Sequence, residues 1–492
     1  MPIVPLPDPA MRLAALALLV LACTAQAAPP AQQWYTVLLD GRKIGSFETT
    51  RTVHEGQVQT TQTLDIKLER AGISIGLRNS ESTTETPAGK PLAFSSTASM
   101  SGIETRIEGR IVDGRIEATT SVGGVTQKRS LPWPEGALMP EAARLLGLRK
   151  GLTEGVHYDA LAFQPSALEG VRIGTRIGPR ENVELPGGPR QLVRAEQAMT
   201  IAGTTLNSRS WVDAQQTVYK LVMPLMGVDL VMLACDHACA TAPNQSSDVF
   251  ERTLLIAPRA LSPAELAGPM RYTLGWRGSG KYSGLINTDE QSVKVDGAAR
   301  VLTVDPEAHA ASAAERPGKN ELRPSDYLQS EAPEIIALAR KAVGDAQSPQ
   351  EKMQRIETFV RGFISNKNLN VGYASALEVA RKPEGDCTEH AVLVAALGRA
   401  SGVATRVATG LAYAPGFAGK DSVFVPHAWA QAWIDGRWRS FDAALKGFDS
   451  GHIAFAVGDG DPWKFFAGLE LLGNLELKAV EPVSKPAATP AH

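Results

Sequence analysis

The chain has few cysteines, no surplus of charge of either sign, and no apolar run long enough to cross a bilayer comfortably. Lys and Arg number 50 against 52 Asp and Glu, so no basic excess exists to attract a polyanion, and nucleic acid is not an expected partner. No acidic or basic tail is present. The apolar stretch from Leu13 to Ala22 falls short of a membrane span. What is there, 43% hydrophobic and 21% charged residues, is the balance of a globular protein. A length of 492 residues exceeds one ordinary core and suggests roughly two to four domains.

Arg12, the run Leu13 to Ala22 and Ala25-Gln26-Ala27 follow the order of charged flank, apolar h-region and small-x-small cleavage site. Residues 1–27 are therefore read as a secretory signal. A rival reading takes Val20-Leu21-Ala22-Cys23 as a lipoprotein signal, with an acylated Cys23 tethering the protein to a membrane. Both place the protein in the periplasm or otherwise outside the cytoplasm. In such an oxidising compartment Cys235 and Cys239 are expected to form a local disulfide. A metal held by this pair and His237 is the alternative, but it lacks a fourth ligand nearby. Of the four cysteines only Cys387 is left over, and an unpaired thiol in an exported protein calls for a chemical reason.

Along the chain the pattern changes once. Residues 30–250 are rich in Thr, Val, Ile and Gly, with period-two stretches such as Thr63 to Glu69 and Thr105 to Ile111 and turn signals at Asp40-Gly41 and Asp113-Gly114. This predicts an antiparallel β domain, one large curved sheet, in which only Pro140 to Leu148 and Ala160 to Leu168 read as helical. It is either a platform for a ligand, lipid or partner or a stabilising module. Residues 251–305 predict a smaller β segment, a sandwich of its own or the tail of the first domain, and residues 306–324 a linker. From 325 to 480 helices come first: one from Pro333, one opened by Ser348-Pro349-Gln350-Glu351, a short one from Ser375 to Arg381, and one from Cys387 to Ala400 closed by Gly402. Strands follow at Thr405 to Tyr413, His427 to Ile434, Arg437 to Asp442 and His452 to Val457, which makes this an α+β domain. Residues 481–492 read as a loose tail.

The chemistry gathers in this last domain. Asp386 is a natural N-cap, and Cys387 then sits in the first helical turn, where unpaired N–H groups and the helix dipole favour a thiolate. His427 shares a strand face with Trp429, Gln431 and Trp433, opposite Ala428, Ala430, Ala432 and Ile434. Asp435-Gly436 makes a tight turn that brings Asp442 back towards His427. A thiol, an imidazole and a carboxylate in this order are the parts of a cysteine nucleophile with its base and the acid that orients the base. Glu389 closes a capping arrangement with Asp386, and His390 is read as supporting structure. A zinc site from Cys387, His390, His427 and Asp442 is the competing assignment; no metal or other cofactor is expected.

The motifs Gly385-Asp386-Cys387-Thr388-Glu389-His390-Ala391, His427-Ala428-Trp429 and Trp438-Arg439-Ser440-Phe441-Asp442 resemble those of the transglutaminase-like superfamily, over about residues 325 to 460. That resemblance implies a papain-like fold with Cys387 as nucleophile, His427 as base and Asp442 as its orienting acid. It further implies amide chemistry on a peptide or protein substrate, since the family includes cross-linking enzymes and proteins similar to peptidases. Gln431 stands where an acid often follows the His-x-Trp motif. The tryptophan that helps form the oxyanion hole in cross-linking members has no counterpart, because no Trp lies between Trp276 and Trp429; Tyr373 is the substitute candidate. Hydrolysis is favoured over transamidation. A protein that has kept the fold and lost the activity, serving as a binding or scaffold component of the envelope, is the reading from another class.

Overall fold

The computed structural model describes residues 31–70, 73–100, 103–122, 125–201, 204–225, 228–245, 254–277, 285–308, 316–367, 374–460 and 474–483. The signal segment with Cys23, the candidate Tyr373, the middle of the linker and the tail beyond 483 lie outside the described residues.

Alternating sequence and tight turns produce a sheet of fifteen strands between Gln32 and Cys235, antiparallel except where the short edge strand Ala137–Leu138 pairs parallel with His157–Gln164. The first strand, Gln32–Leu39, is central and pairs with both Arg42–His54 and Val228–Cys235. The two edge strands, Val125–Pro132 and Ala137–Leu138, are neighbours in sequence. A link of only four residues, 133–136, can join them because the sheet curls until its ends meet. Phe94, Ile107 and Ile116 from one end pack with Met139, Phe163 and Leu168 from the other in one apolar cluster. Phe94 and Phe163 stand edge to face at 5.0 Å.

Inside the curl lies the helix Pro140–Lys150. Its N-cap, Met139, offers no side-chain acceptor. The Glu85 carboxylate instead accepts the N–H groups of Glu141 (2.7 Å) and Ala142 (2.9 Å), a cap delivered from a strand. The expected helix at Ala160 to Leu168 is not there. His157–Gln164 is a strand paired along its length with Glu169–Val183, and its alternation decides the matter where helix propensity suggested otherwise.

The C-terminal region has three layers. Helices Pro333–Val343, Pro349–Phe363, Ala376–Arg381 and Cys387–Ala400 form one. The middle layer is a sheet in the order Lys420–Ile434, Thr405–Phe417, His452–Gly458, with Arg437–Phe441 on the outer edge of the first. Ala428, Ala430, Ala432 and Ile434 meet the helices in a shared core. Segment 251–305 is neither a separate sandwich nor a tail of the first sheet. Its strands Met270–Trp276, Gln291–Asp296 and Ala299–Val304 build a second sheet with Leu475–Pro482. Apolar side chains explain this placement: Tyr272, Leu274 and Leu302 bury themselves against Leu411, Phe424 and Ile453 of the middle layer. Residues 481 and 482 therefore end a strand rather than open a loose tail. His427 likewise sits inside its strand, Lys420–Ile434, and not at the start.

The middle strand Thr405–Phe417 lies between the His427 and His452 strands, and Gly410 pairs with His427 on one side and Ala454 on the other. A Cβ on Gly410 would come within 1.9 Å of the Ile453 carbonyl oxygen, a backbone atom that cannot swing away. Gly410→Ala is expected to cost ~1–3 kcal/mol or more in urea unfolding through overpacking. Unchanged stability would mean that the strands can separate freely there.

Candidate active site

Gly385 adopts φ +136°, and a Cβ there would strike Glu389 Cγ at 2.3 Å, so this position requires glycine. The tight turn lets Asp386 and Glu389 cap the Cys387 helix reciprocally. Glu389 is wholly buried; it accepts from Ala374 N (2.8 Å), Asp386 N (2.9 Å) and Thr388 Oγ1 (2.9 Å). Burial and the neighbouring Asp386 carboxylate push its pKa up to about 8, against the lowering effect of the two backbone N–H groups. Cys387 starts the helix and is 8% exposed.

His427 Nε2 and Asp442 Oδ2 are 2.8 Å apart, both residues buried. The hairpin forms as the turn residues require, with Asp435 at φ +50° and Gly436 at φ +79°. Ala430 pairs with Phe441, and Asp442 follows as the strand ends. Asp442 Oδ1 then accepts from Ala444 N (2.8 Å) and Leu445 N (3.1 Å), while Glu357 receives the Asp442 N–H at 3.0 Å. The carboxyl orientation is thereby fixed from three sides.

The sequence reading missed His452. Its Nε2 lies 3.0 Å from the same Asp442 Oδ2, and Asp449 Oδ1 is 3.1 Å from its Nδ1. Burial works against the charged imidazole, but the two carboxylates outweigh it and raise its pKa to about 9. Asp442 is held far below the usual carboxylate range: burial alone would raise it, and the histidines reverse that. The sequence signal was a histidine opening the predicted strand His452 to Val457.

Two acids from the second sheet were also missed. Glu290 accepts from Ser440 N at 3.0 Å and Asp289 from Trp438 N at 2.7 Å, which satisfies the open edge of the Arg437–Phe441 strand. Burial pushes Glu290 up to about 7. Trp429 Nε1 and Gln431 Nε2 donate to Ser440 Oγ at 3.1 and 3.2 Å, and the Trp429 ring lies near parallel to His427 and edge-on to His452. Gln431 thus braces the hairpin.

His390 does not join the His427–Asp442 pair. Its Nδ1 is 2.6 Å from the Asp386 carbonyl oxygen, and its buried Nε2 has no hydrogen-bond partner among the described residues. Burial lowers its pKa, against the raising effect of the Asp386 carbonyl oxygen. Ring nitrogens of His427 and His452 and one oxygen of Asp442 lie within 4.8 Å of one another, a donor set with the chemistry for a divalent metal. This set shares His427 and Asp442 with the competing zinc assignment but has His452 in place of Cys387 and His390. Cys235 and Cys239 are joined by a disulfide next to the short helix His237–Thr241, remote in sequence from this cluster.

Residues 336–443 match the model of the transglutaminase-like superfamily. This agrees with the three motifs and falls on the helices and hairpin just described. No curated protein matches the chain. Among solved structures, the chain is similar to a β-barrel-like protein of unknown function from Brucella abortus, at 13% identity over 42% of this chain and 95% of that one, TM-score 0.35. It is also similar to a candidate cysteine protease from Cytophaga hutchinsonii, at 18% identity over 46% and 88%, TM-score 0.29. A candidate protease from Parabacteroides distasonis follows at 10% identity over 71% and 68%, TM-score 0.19.

The raised and lowered groups of the transglutaminase-like region set a pH dependence of stability. His452, raised from 6.5 to about 9, stabilises the fold fully below pH 6.5, and this is lost as pH rises through 9. Glu290 and Glu389, raised to about 7 and 8, add to the alkaline loss. Asp442, lowered, loses its contribution on acidification. Thermal unfolding is expected to show a maximum on the mildly acidic side and a decline towards pH 9. His452→Gln should lower stability at pH 6 by on the order of 3 kcal/mol and flatten the decline above pH 6.5. An undiminished decline in the variant would show that His452 is not the charged partner.

Proposed function

We propose that the protein is an exported thiol enzyme that cleaves or transfers amide bonds of peptide or protein substrates through a thioester on Cys387. The observation that carries this reading is the buried hydrogen bond between His427 and Asp442 on the hairpin packed against the Cys387 helix. With Nε2 engaged by the carboxylate, Nδ1 is the nitrogen of His427 that takes the thiol proton. The thiolate attacks the amide carbonyl carbon, and the backbone N–H of Cys387 helps to hold the oxyanion. The C–N bond breaks as His427 returns the proton to the leaving amine. Water, deprotonated by His427, then attacks the thioester, releasing a carboxylic acid and restoring the thiol; an amine in place of water gives a new amide. Asp442 keeps the imidazole oriented, and His452 shares the same carboxylate oxygen. Support for export comes from residues 1–27 and from the pairing of Cys235 with Cys239.

Iodoacetamide labelling followed by peptide mass spectrometry tests the assignment. Cys387 should alkylate at neutral pH at a rate that falls by about tenfold or more in His427→Ala, the scale of losing a positioned base. Asp442→Asn should give an intermediate loss. A Cys387 that resists alkylation in the folded protein and becomes reactive only on denaturation would favour the inactive scaffold.

A further inference from the structure

The amide chemistry makes no use of the interior of the N-terminal sheet. Between the helix Pro140–Lys150 and the concave strands lies a cavity of about 660 Å³, within the roughly 300–1,000 Å³ typical of small-molecule sites. The void exists because small side chains stand where a closed core would place large ones: Ala160, Ala162, Ala195 and Ser210 line it opposite Ala143 and Gly147 of the helix. Tyr35, Phe47, Leu221 and Met232 complete an apolar wall.

One part of the wall is charged. Arg51 donates Nε and Nη2 to Glu141 at 2.9 Å each, and Arg144 donates the same two atoms at 3.0 and 2.7 Å. Both guanidiniums thus converge on one carboxylate, and Nη1 of each makes no hydrogen bond among the described residues. The side chains of Arg51 and Arg144 are 22% and 20% exposed, and that of Glu141 only 2%. Burial opposes the ionised form of Glu141, but the hydrogen bonds from Arg144 and Arg51 hold its pKa down at about 2. Glu85 behind it is raised by burial and is occupied by the N–H groups of the helix. Two guanidiniums therefore meet at one firmly ionised acid on the cavity wall. Thr217 Oγ1 on the same lining is buried without a hydrogen-bond partner.

We propose that this cavity binds a single-chain amphiphile with one anionic head, the chain lying along the alanine-lined strands and the head on Nη1 of Arg51 and Arg144. Fatty acids and lysophospholipids share that chemistry. The site gives the β region a binding function of its own and does not depend on the thiol reading; Cys387→Ala should leave it unchanged.

Fluorescence titration of the full mature protein with cis-parinaric acid, followed by displacement with palmitate, lysophosphatidylglycerol or hexadecanol, tests the assignment. Palmitate or the lysolipid should displace the probe, and whichever acts at lower concentration identifies the source of the head group. Hexadecanol, with the chain and no charge, should be weaker by about tenfold, the scale of one charge-assisted hydrogen bond. Arg144→Gln should remove that difference while leaving hexadecanol unaffected. Ala195→Leu, which fills the void, should weaken all three ligands in a protein whose circular dichroism is unchanged; if it does not fold, Ala162→Val serves as the milder filling variant. No saturable uptake of cis-parinaric acid would overturn the proposal. Equal affinity for palmitate and hexadecanol would overturn its charged part.

Discussion

One oxygen atom, Asp442 Oδ2, receives hydrogen bonds from two histidines that belong to different strands. A buried carboxylate is costly to leave unpaired and is stable only when every lone pair is met. Here the second oxygen takes two backbone N–H groups from the turn that follows. The strands carrying His427 and His452 are not neighbours; Thr405–Phe417 runs between them, and at Gly410 it has no side chain to keep them apart. The geometry of the acid thus depends on a glycine two strands into the sheet and on a turn beyond the hairpin. The oxygen that orients the His427 ring is thus also the one that holds His452.

What was legible in the sequence was local. Asp386 as cap, Cys387 as first helical residue, Ser348 as cap and the Asp435-Gly436 turn all act within a few residues, where one type at one spacing has a single low-energy outcome. Alternation on the His427 strand placed its alanines against the helices correctly. His452, Glu290, Asp289 and Glu357 were illegible because their partners lie 10 to 150 residues away, and no periodicity encodes such pairings. Ala160 to Leu168 misled for the converse reason. Alanine and leucine favour helix, but residues 160 to 164 have a complementary strand and 165 to 168 form the turn that leads into it, and pairing outweighs an intrinsic preference of a few tenths of a kcal/mol per residue.

The N-terminal sheet and the transglutaminase-like region touch through more than a linker. Arg129 on one edge strand of the curled sheet pairs with Asp326, at the entry to the helical layer. The edge strand is the exposed end of fifteen and would otherwise invite pairing with another chain. A salt link there joins the half of the molecule that holds the cavity to the half that holds the thiol.

The second sheet explains why the site needs more of the chain than its motifs suggest. The motifs end at Asp442, yet the open edge of the strand that leads to it is closed by Asp289 and Glu290. Those acids are held in place by strands that pair in turn with Leu475–Pro482. Gln291, the next residue, donates Nε2 to the Ala454 carbonyl and accepts the Ala454 N–H at Oε1, two residues from His452. One short run, residues 289 to 291, therefore braces the strand before the acid and the strand of the second histidine together. The hairpin can form early from local turn chemistry, but its carboxylate acquires a fixed environment only after contacts some 150 residues apart have closed, the slow and entropically expensive part of folding. Assembly of the site is in this way made conditional on the completed C-terminal region, and a partly folded chain would carry Cys387 without an oriented His427.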